Sequence, residues 1–228
     1  MGEIVEFPSN GHGASGYLAV PASGSGPGLI VIQEWWGLVP HITDLCDRFA
    51  AEGFVALAPD LFHGESTTEP DEAGKLMMSL NLTRAAQDLS GAVAFLQGHD
   101  AVAGDKLGIT GFCMGGGLAL VTACQNPGAF GAVVPWYGLI AWPDATPDWS
   151  ALDAPVLGHY AGDDGFFTAD AARELETTLK DLGKDVTIHI YDGVDHAFFN
   201  DTRPEVYAPE ASTLAWSRTL EFLRANLR

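Results

Sequence analysis

Lys106-Leu107-Gly108-Ile109-Thr110-Gly111-Phe112-Cys113-Met114-Gly115-Gly116-Gly117-Leu118-Ala119-Leu120-Val121-Thr122-Ala123-Cys124 is the stretch from which the rest of the chain is read. Its first five residues are an apolar run of the kind that makes a buried strand. From Gly115 onward, small and apolar residues predict a helix whose first turn is nearly stripped of side chains. A strand that turns straight into a helix forces the residue between them into a strained backbone conformation. Glycine is then needed on both sides, because a Cβ there would collide with neighbouring backbone. The pentapeptide Gly111-Phe112-Cys113-Met114-Gly115 therefore reads as a nucleophile elbow that carries sulfur. Unpaired amides and the helix dipole at such an N-terminus favour an anion, the form in which a cysteine is reactive. The competing reading is a small buried hydrophobe, since free cysteine is among the most buried residue types.

Around this stretch, strand candidates alternate with helical ones. That is the pattern of βαβ units, and it predicts one α/β domain over residues 1–228 with a mainly parallel central sheet flanked by helices on both faces. Residues 16–20 and 28–33 read as an opening hairpin across the small-residue turn 22–27. Helices are expected over 42–51, 82–97, 169–182 and 208–227, and further strands over 54–58, 132–137, 155–160 and 186–191. Residues 11–16 match the dinucleotide fingerprint G-x-G-x-x-G letter for letter. Their context excludes a nucleotide site: a Pro8-Ser9-Asn10 turn precedes and a strand follows, where pyrophosphate needs a strand before and a helix after.

The 228 residues carry 30 acidic and 11 basic side chains, a formal charge of −19, which argues against phosphate-backbone partners such as nucleic acid. No apolar run is long enough to span a bilayer, and the first residues lack the basic and apolar regions of a leader, so a cytoplasmic location is expected. The three cysteines, Cys46, Cys113 and Cys124, offer neither a disulfide framework nor a zinc-binding spacing. The expected partner is a small molecule, with no metal or organic cofactor, acted on by a monomer or weak homodimer.

An elbow needs an acid and then a histidine on loops after later strands. Asp163 and Asp164 follow the strand ending at Tyr160, and His196 follows the strand ending at Tyr191. Histidine suits the task because its imidazole titrates near neutrality and can take and return the nucleophile's proton. Among the other histidines, His159 and His189 lie in strands and read as structural, while His12, His41, His63 and His99 read as surface or capping residues. The choice between Asp163 and Asp164 stays open on the residues alone; Asp195, adjoining the histidine, points off along the chain and reads as solvated. The oxyanion hole is expected from the amides of Met114 and Trp35. Glu34, a carboxylate between a buried strand and two tryptophans, must be hydrogen-bonded or shifted in pKa, whether in a structural salt bridge or in a functional role. Trp36, Trp136, Phe166 and Phe198 predict an aromatic-lined pocket, with ordinary core packing as the alternative.

Together these residues resemble the dienelactone hydrolase family of the α/β-hydrolases. The likeness is carried by Gly-x-Cys-x-Gly-Gly at 111–116, Gln33-Glu34 followed by an aromatic and Gly37, Pro59-Asp60-Leu61-Phe62, Asp164 with Phe166, and His196 with Phe198. It implies an α/β-hydrolase fold, Cys113 as nucleophile, His196 as base, Asp164 as the orienting acid, and Glu34 as a group that controls when the thiolate forms. The implied reaction is hydrolysis of a lactone or carboxylic ester through an acyl-enzyme. A thioesterase, a peptidase-type hydrolase, or a non-catalytic or redox-sensing member of the fold are the alternatives. The chain departs from the pattern in one respect. Neither 65–72 nor 197–200 offers the arginines with which such enzymes hold a substrate carboxylate, and nothing in the sequence places Arg84 or Arg203 in the pocket. Weak turnover of an anionic dienelactone is therefore expected.

Overall fold

The structure is a computed structural model and describes residues 2–9 and 11–227. In chain order the strands are β1 (Glu3–Ser9), β2 (His12–Ala19), β3 (Gly28–Ile32), β4 (Val55–Pro59), β5 (Leu107–Phe112), β6 (Phe130–Trp136), β7 (Val156–Ala161) and β8 (Val186–Tyr191). The helices are α1 (Pro40–Ala51), α2 (Pro70–Met78), α3 (Leu82–Gln97), α4 (Met114–Gln125), α5 (Ala169–Asp181) and α6 (Pro209–Asn226). One eight-stranded sheet runs β1-β2-β4-β3-β5-β6-β7-β8. Only the β1–β2 and β2–β4 pairings are antiparallel. This is the α/β-hydrolase architecture that the sequence predicts.

The central strands are buried over their whole length because both faces of the sheet are covered. Along β3, Leu29 and Val31 point into a core shared with Ile42, Phe49, Ala215 and Leu223 from α1 and α6. Ile30 and Ile32 point into the opposite core, with Leu89, Val93 and Leu118 from α3 and α4. The period-two alternation thus divides one apolar run between two layers of helices. At about 25 cal/mol per Å2 of apolar surface buried, this double covering is the main favourable term of the fold.

Two expectations about the first half need correcting. Residues 16–20 and 28–33 do not form a hairpin: β2 pairs with β1, from Glu3 opposite Leu18 to Ser9 opposite His12, and β4 lies between β2 and β3. The 28–33 run is apolar on both faces and therefore takes an interior place in the sheet. Residues 3–9, largely exposed and interrupted by Pro8, suit an edge. Pro8 and Ser9, expected in a turn, are the last residues of β1, so a strand does precede the fingerprint glycines; the rejection of a nucleotide site rests on strand β2, and no helix, following them, and Asn10 lies outside the described residues. Helix α2 was not foreseen. Only Ala73 of its nine residues is buried, so it has little apolar period to read, but Pro70 at its start and Asp71 and Glu72 in its first turn are favourable N-terminal residues.

The strand order creates the crevice. From β3 the chain moves outward to β4, then returns to place β5 on the other side of β3. Open α/β sheets bind ligands outside the carboxyl ends of the strands at such a reversal. The residues leaving β3 and β5 there are Gln33-Glu34 and Cys113. Among the described residues, no helix is long and apolar enough to cross a membrane.

The glycines of the elbow are required by contact. A Cβ on Gly115 would stand 2.5 Å from the Gln33 carbonyl oxygen and 2.6 Å from that of Ile32, both backbone atoms. Gly193 has a left-handed φ of +70° but open space around it. Gly115→Ala is expected to lose about 3 kcal/mol in denaturant unfolding through overpacking, and Gly193→Ala about 1–2 kcal/mol through backbone strain alone. Equal losses would remove close approach as the reason for glycine at 115.

Candidate active site

Cys113 sits between β5 and α4 with φ 56° and ψ −123°. Its amide donates to the Trp136 carbonyl at 3.0 Å, and its own carbonyl accepts from the Gly116 amide at 2.9 Å. These bonds hold a left-handed conformation that a non-glycine residue adopts at a cost of about 1–3 kcal/mol. Met114 opens α4, so its amide is among those a helix leaves without an internal partner. The other two cysteines are buried elsewhere; burial pushes the Cys46 thiol far up and that of Cys124 up to about 11.

Asp164 and His196 are brought together by the loops that follow β7 and β8. The Asp164 carboxylate is buried and accepts on Oδ1 from the amides of Phe166 at 2.7 Å and Phe167 at 2.9 Å. Its Oδ2 meets His196 Nδ1 at 2.7 Å. Asp163 is exposed, so burial and hydrogen bonding separate the adjoining pair. Asp195 is exposed too, and its carboxylate accepts from the His196 amide at 2.6 Å. For His196, burial disfavours the charged ring, but hydrogen bonds to Asp164 and Cys113, with the negative charge of both, outweigh it and raise the pKa to about 10. The geometry thus favours the charged form of the ring beside Cys113.

Glu34 leaves β3 into the same space with 1% of its surface exposed. Asn200 Nδ2 donates to its Oε2 at 3.0 Å, and the Tyr137 hydroxyl reaches its Oε1 at 3.5 Å. Burial raises its pKa, against the opposing pull of His196, Asn200, Arg203 and Tyr137. The fully buried Tyr137 is itself driven well upward by burial and by the Glu34 and Cys113 charges, so its phenol stays neutral.

The pocket over these groups has a volume of about 290 Å3 and is lined by Glu34, Trp35, Trp36, Cys113, Phe166 and His196, with Pro70, Asp195, Ala197, Arg203 and Val206 completing the wall. Phe166 is 74% exposed and stands at the mouth, its ring 6.4 Å from that of Trp35 and 5.4 Å from the His196 ring. Two expected wall residues are elsewhere. Trp136 is fully buried under the elbow, its ring against Phe112, His159 and Phe199, and Phe198 is buried against Trp136, Tyr137 and Tyr191. Their positions on β6 and just after His196 turn both rings toward the α6 side of the sheet, into core. Cavity size alone does not find this site: a larger one of about 750 Å3 lies between α3 and α4, with Asp144 as the one ionisable group on its wall.

Arg203 was the arginine that the sequence could not place, and it lines the pocket. Its guanidinium lies 5.7 Å from the Trp36 ring and its Nε donates to Glu205 at 2.9 Å. Arg84 instead lies on α3 beside His63, 3.3 Å from its Nδ1. After His196 the backbone advances in three-residue turns, Asn200 N to Ala197 O, Arg203 N to Asn200 O, Val206 N to Arg203 O. Every third side chain therefore returns to the site, which explains why Asn200, Arg203 and Val206 serve it together. The spacing was present in the sequence, but a run of turns has no apolar period to announce it.

Of the remaining histidines, His12 is exposed at the start of β2. His159 is buried between the Tyr191 and Thr219 hydroxyls, each at 2.9 Å, and is structural, as read. His189 stacks beside it at 6.0 Å. His99 accepts from the Ala101 amide beyond α3, and His63 pairs with Asp88 at 3.0 Å. His41 contradicts its expected surface position: it is 3% exposed, inside the start of α1. Among the described residues no group of three or more His, Cys, Asp or Glu is placed to hold a metal ion.

A strained cysteine elbow and a hydrogen-bonded acid–histidine pair at the carboxyl ends of a mainly parallel sheet define an α/β-hydrolase. Comparison with known proteins makes the assignment narrower. The model of the dienelactone hydrolase family matches residues 14–227, and the chain belongs to that family. It is 39% identical over 234 residues to protein usf of Aquifex pyrophilus, covering 100% of both. It is 36% identical over 235 residues to the "Putative carboxymethylenebutenolidase" of Aquifex aeolicus, again over 100% of both. The crystal structure of a dienelactone hydrolase-type protein from Klebsiella pneumoniae superposes with a TM-score of 0.87 at 30% identity, covering 98% of each chain.

The His196–Asp164 bond has a direct readout. Asp164→Asn removes the carboxylate charge, and NMR titration of His196 is expected to bring its pKa down by about one unit or more. An unmoved midpoint would mean that Asp164 does not govern this imidazole.

Proposed function

We propose that this chain hydrolyses lactones or carboxylic esters with Cys113 as nucleophile, His196 as general acid and base, and Asp164 as the group that orients the ring. The observation that carries this reading is the 2.7 Å bond from His196 Nδ1 to a buried Asp164, beside a cysteine held at positive φ in the same pocket. The relatives' printed names, among them a carboxymethylenebutenolidase, agree with it. The Cys113 thiolate attacks the carbonyl carbon, a C–S bond forms, and the oxyanion is received by the Met114 and Trp35 amides. The C–O bond then breaks, and the leaving alkoxide takes the proton from the His196 imidazolium. Water, giving its proton to the now neutral His196, attacks the thioester carbonyl; the C–S bond breaks and the thiolate is restored. An amide is a poor substrate on this scheme, because the tetrahedral intermediate expels the thiolate more readily than an amine. A peptidase is accordingly disfavoured.

Glu34 acts as the group that opposes or permits the thiolate, since two anions in one buried space repel strongly. Asn200 holds its carboxylate. Trp35, Trp36 and Phe166 supply the apolar walls. Arg203 offers a substrate carboxylate one cation, already engaged by Glu205 and Trp36, so neutral substrates are favoured over anionic dienelactones. The acidic composition and small pocket support action on a diffusible small molecule, in keeping with a cytoplasmic enzyme.

Brief exposure to an activated aryl ester is expected to leave an acyl adduct on Cys113 by intact mass. Cys113→Ala should abolish both adduct and turnover, and His196→Ala should slow turnover by about 1,000-fold or more. Full activity in Cys113→Ala would refute the elbow assignment. The pH profile tests Glu34. Asn200 donates to the ionised carboxylate, so its loss disfavours that form and raises the Glu34 pKa further. Neutral Glu34 permits the thiolate and ionised Glu34 opposes it, so Asn200→Leu should move the basic limb of kcat/KM upward by about one unit, the worth of one hydrogen bond to a charged group. An unchanged limb would remove Glu34 from control of the thiolate.

A further inference from the structure

A second chamber of about 480 Å3 adjoins the reaction pocket, and Trp36 and Arg203 line both. His41 lies in its wall, and neither ring nitrogen has a hydrogen-bond partner in the protein. Asp201 Oδ1 stands 3.7 Å from His41 Nδ1, while its Oδ2 faces Arg48 at 3.4 Å. A buried polar group without a partner is costly, which makes this ring a strong claimant for a ligand that can both accept and donate. Burial lowers the His41 pKa to about 4, with the Asp201 charge pulling it up and the Arg48 charge pushing it down, so near neutral pH it offers one N–H and one lone pair.

The rest of the chamber is matched in the same way. Thr67 accepts from the Glu69 amide at 3.0 Å and keeps its hydroxyl proton to donate, and Thr68 supplies another hydroxyl. Arg203 and Glu205, bound to each other at 2.9 Å, place donors and acceptors side by side with no net charge. A carboxylate would meet Glu205 as well as Arg203, in a chain of formal charge −19. Hydroxyl groups, which donate and accept at once, fit such a lining, and the Trp36 ring suits the C–H faces between them.

We propose that this chamber is a subsite for the hydroxyl-bearing alcohol arm of an ester substrate, such as a polyol ester, with His41 and the Thr67–Thr68 pair as its specificity residues. The proposal rests on the ester-hydrolase reading above. It assigns the alcohol arm because the leaving oxygen must face His196, and the loop that continues from His196 builds the chamber wall at Asn200, Arg203 and Glu205. The acyl oxygen faces the other way, toward Met114 and Trp35. A polyol ester of this kind is supplied by acyl transfer to a polyol, and its products are the free acid and the polyol.

The test compares 1-acetylglycerol with propyl acetate, neutral esters of the same chain length that differ by two hydroxyls. Wild-type kcat/KM is expected to favour the glycerol ester by about tenfold, the discrimination a neutral hydrogen bond supplies. His41→Leu should bring the ratio close to one while leaving propyl acetate unchanged. Thr68→Val, at the exposed rim, should reduce the ratio about threefold and serves as the second probe should His41→Leu fold poorly. Hydrolysis of both esters with a wild-type ratio near one overturns the subsite alone, as does a ratio that neither substitution moves. No hydrolysis of either ester overturns the subsite together with the ester-hydrolase reading.

Discussion

The left-handed backbone at Cys113 is the constraint on which the rest of the structure depends. A side chain held at φ 56° between β5 and α4 projects above the sheet, where an acyl carbon can approach it. That posture is tolerable only if no neighbouring Cβ intrudes, and the glycines before and after it remove them. The Gln33 and Ile32 carbonyls pack directly against Gly115, so the same contact brings the exit of β3 up to the elbow. Gly138 lets the chain leaving β6 cross close to the Cys113 carbonyl. Strain of about 1–3 kcal/mol is carried by a helix and strands whose burial is worth far more.

Around this fixed atom the electrostatics form a coupled set. Cys113, Asp164 and Glu34 can each hold a negative charge, while His196 and Arg203 bring the nearby positive charge. Asp164 is committed by two amides and the His196 ring, so its charge is satisfied locally. Glu34 has only the Asn200 amide, the more distant Tyr137 hydroxyl and the diffuse pull of the cations. It is therefore the carboxyl whose protonation responds when a neighbour gains or loses charge. The order of commitment follows from hydrogen-bond count and burial, and it separates a locally satisfied carboxylate from a responsive carboxyl.

Much of this was legible before folding because it is local. The apolar run, the glycines flanking Cys113, and the loops carrying Asp164 and His196 after later strands are all patterns over a few residues. The period of α3 gave its bounds as residues 82–97, which the structure matches. What the sequence misjudged depended on partners distant along the chain. Trp136 and Phe198 were taken for pocket walls because they lie near site residues, yet which side of the sheet a ring faces is set by register and by α6. The supposed hairpin of 16–20 with 28–33 failed because adjacency in sequence does not choose strand neighbours when one strand needs two buried faces.

The sequence by itself determined the elbow and the sulfur at its centre, which follow from steric limits on a few consecutive residues, and the chain order of cysteine, aspartate and histidine on loops after successive strands. Only the tertiary structure chose Asp164 over Asp163 by burial, carried Arg203 into the pocket on successive turns, hung Glu34 from Asn200, and buried His41 without a partner beside a second chamber. Each of those outcomes depends on desolvation and on groups brought together from distant segments, and neither quantity exists until the chain has packed.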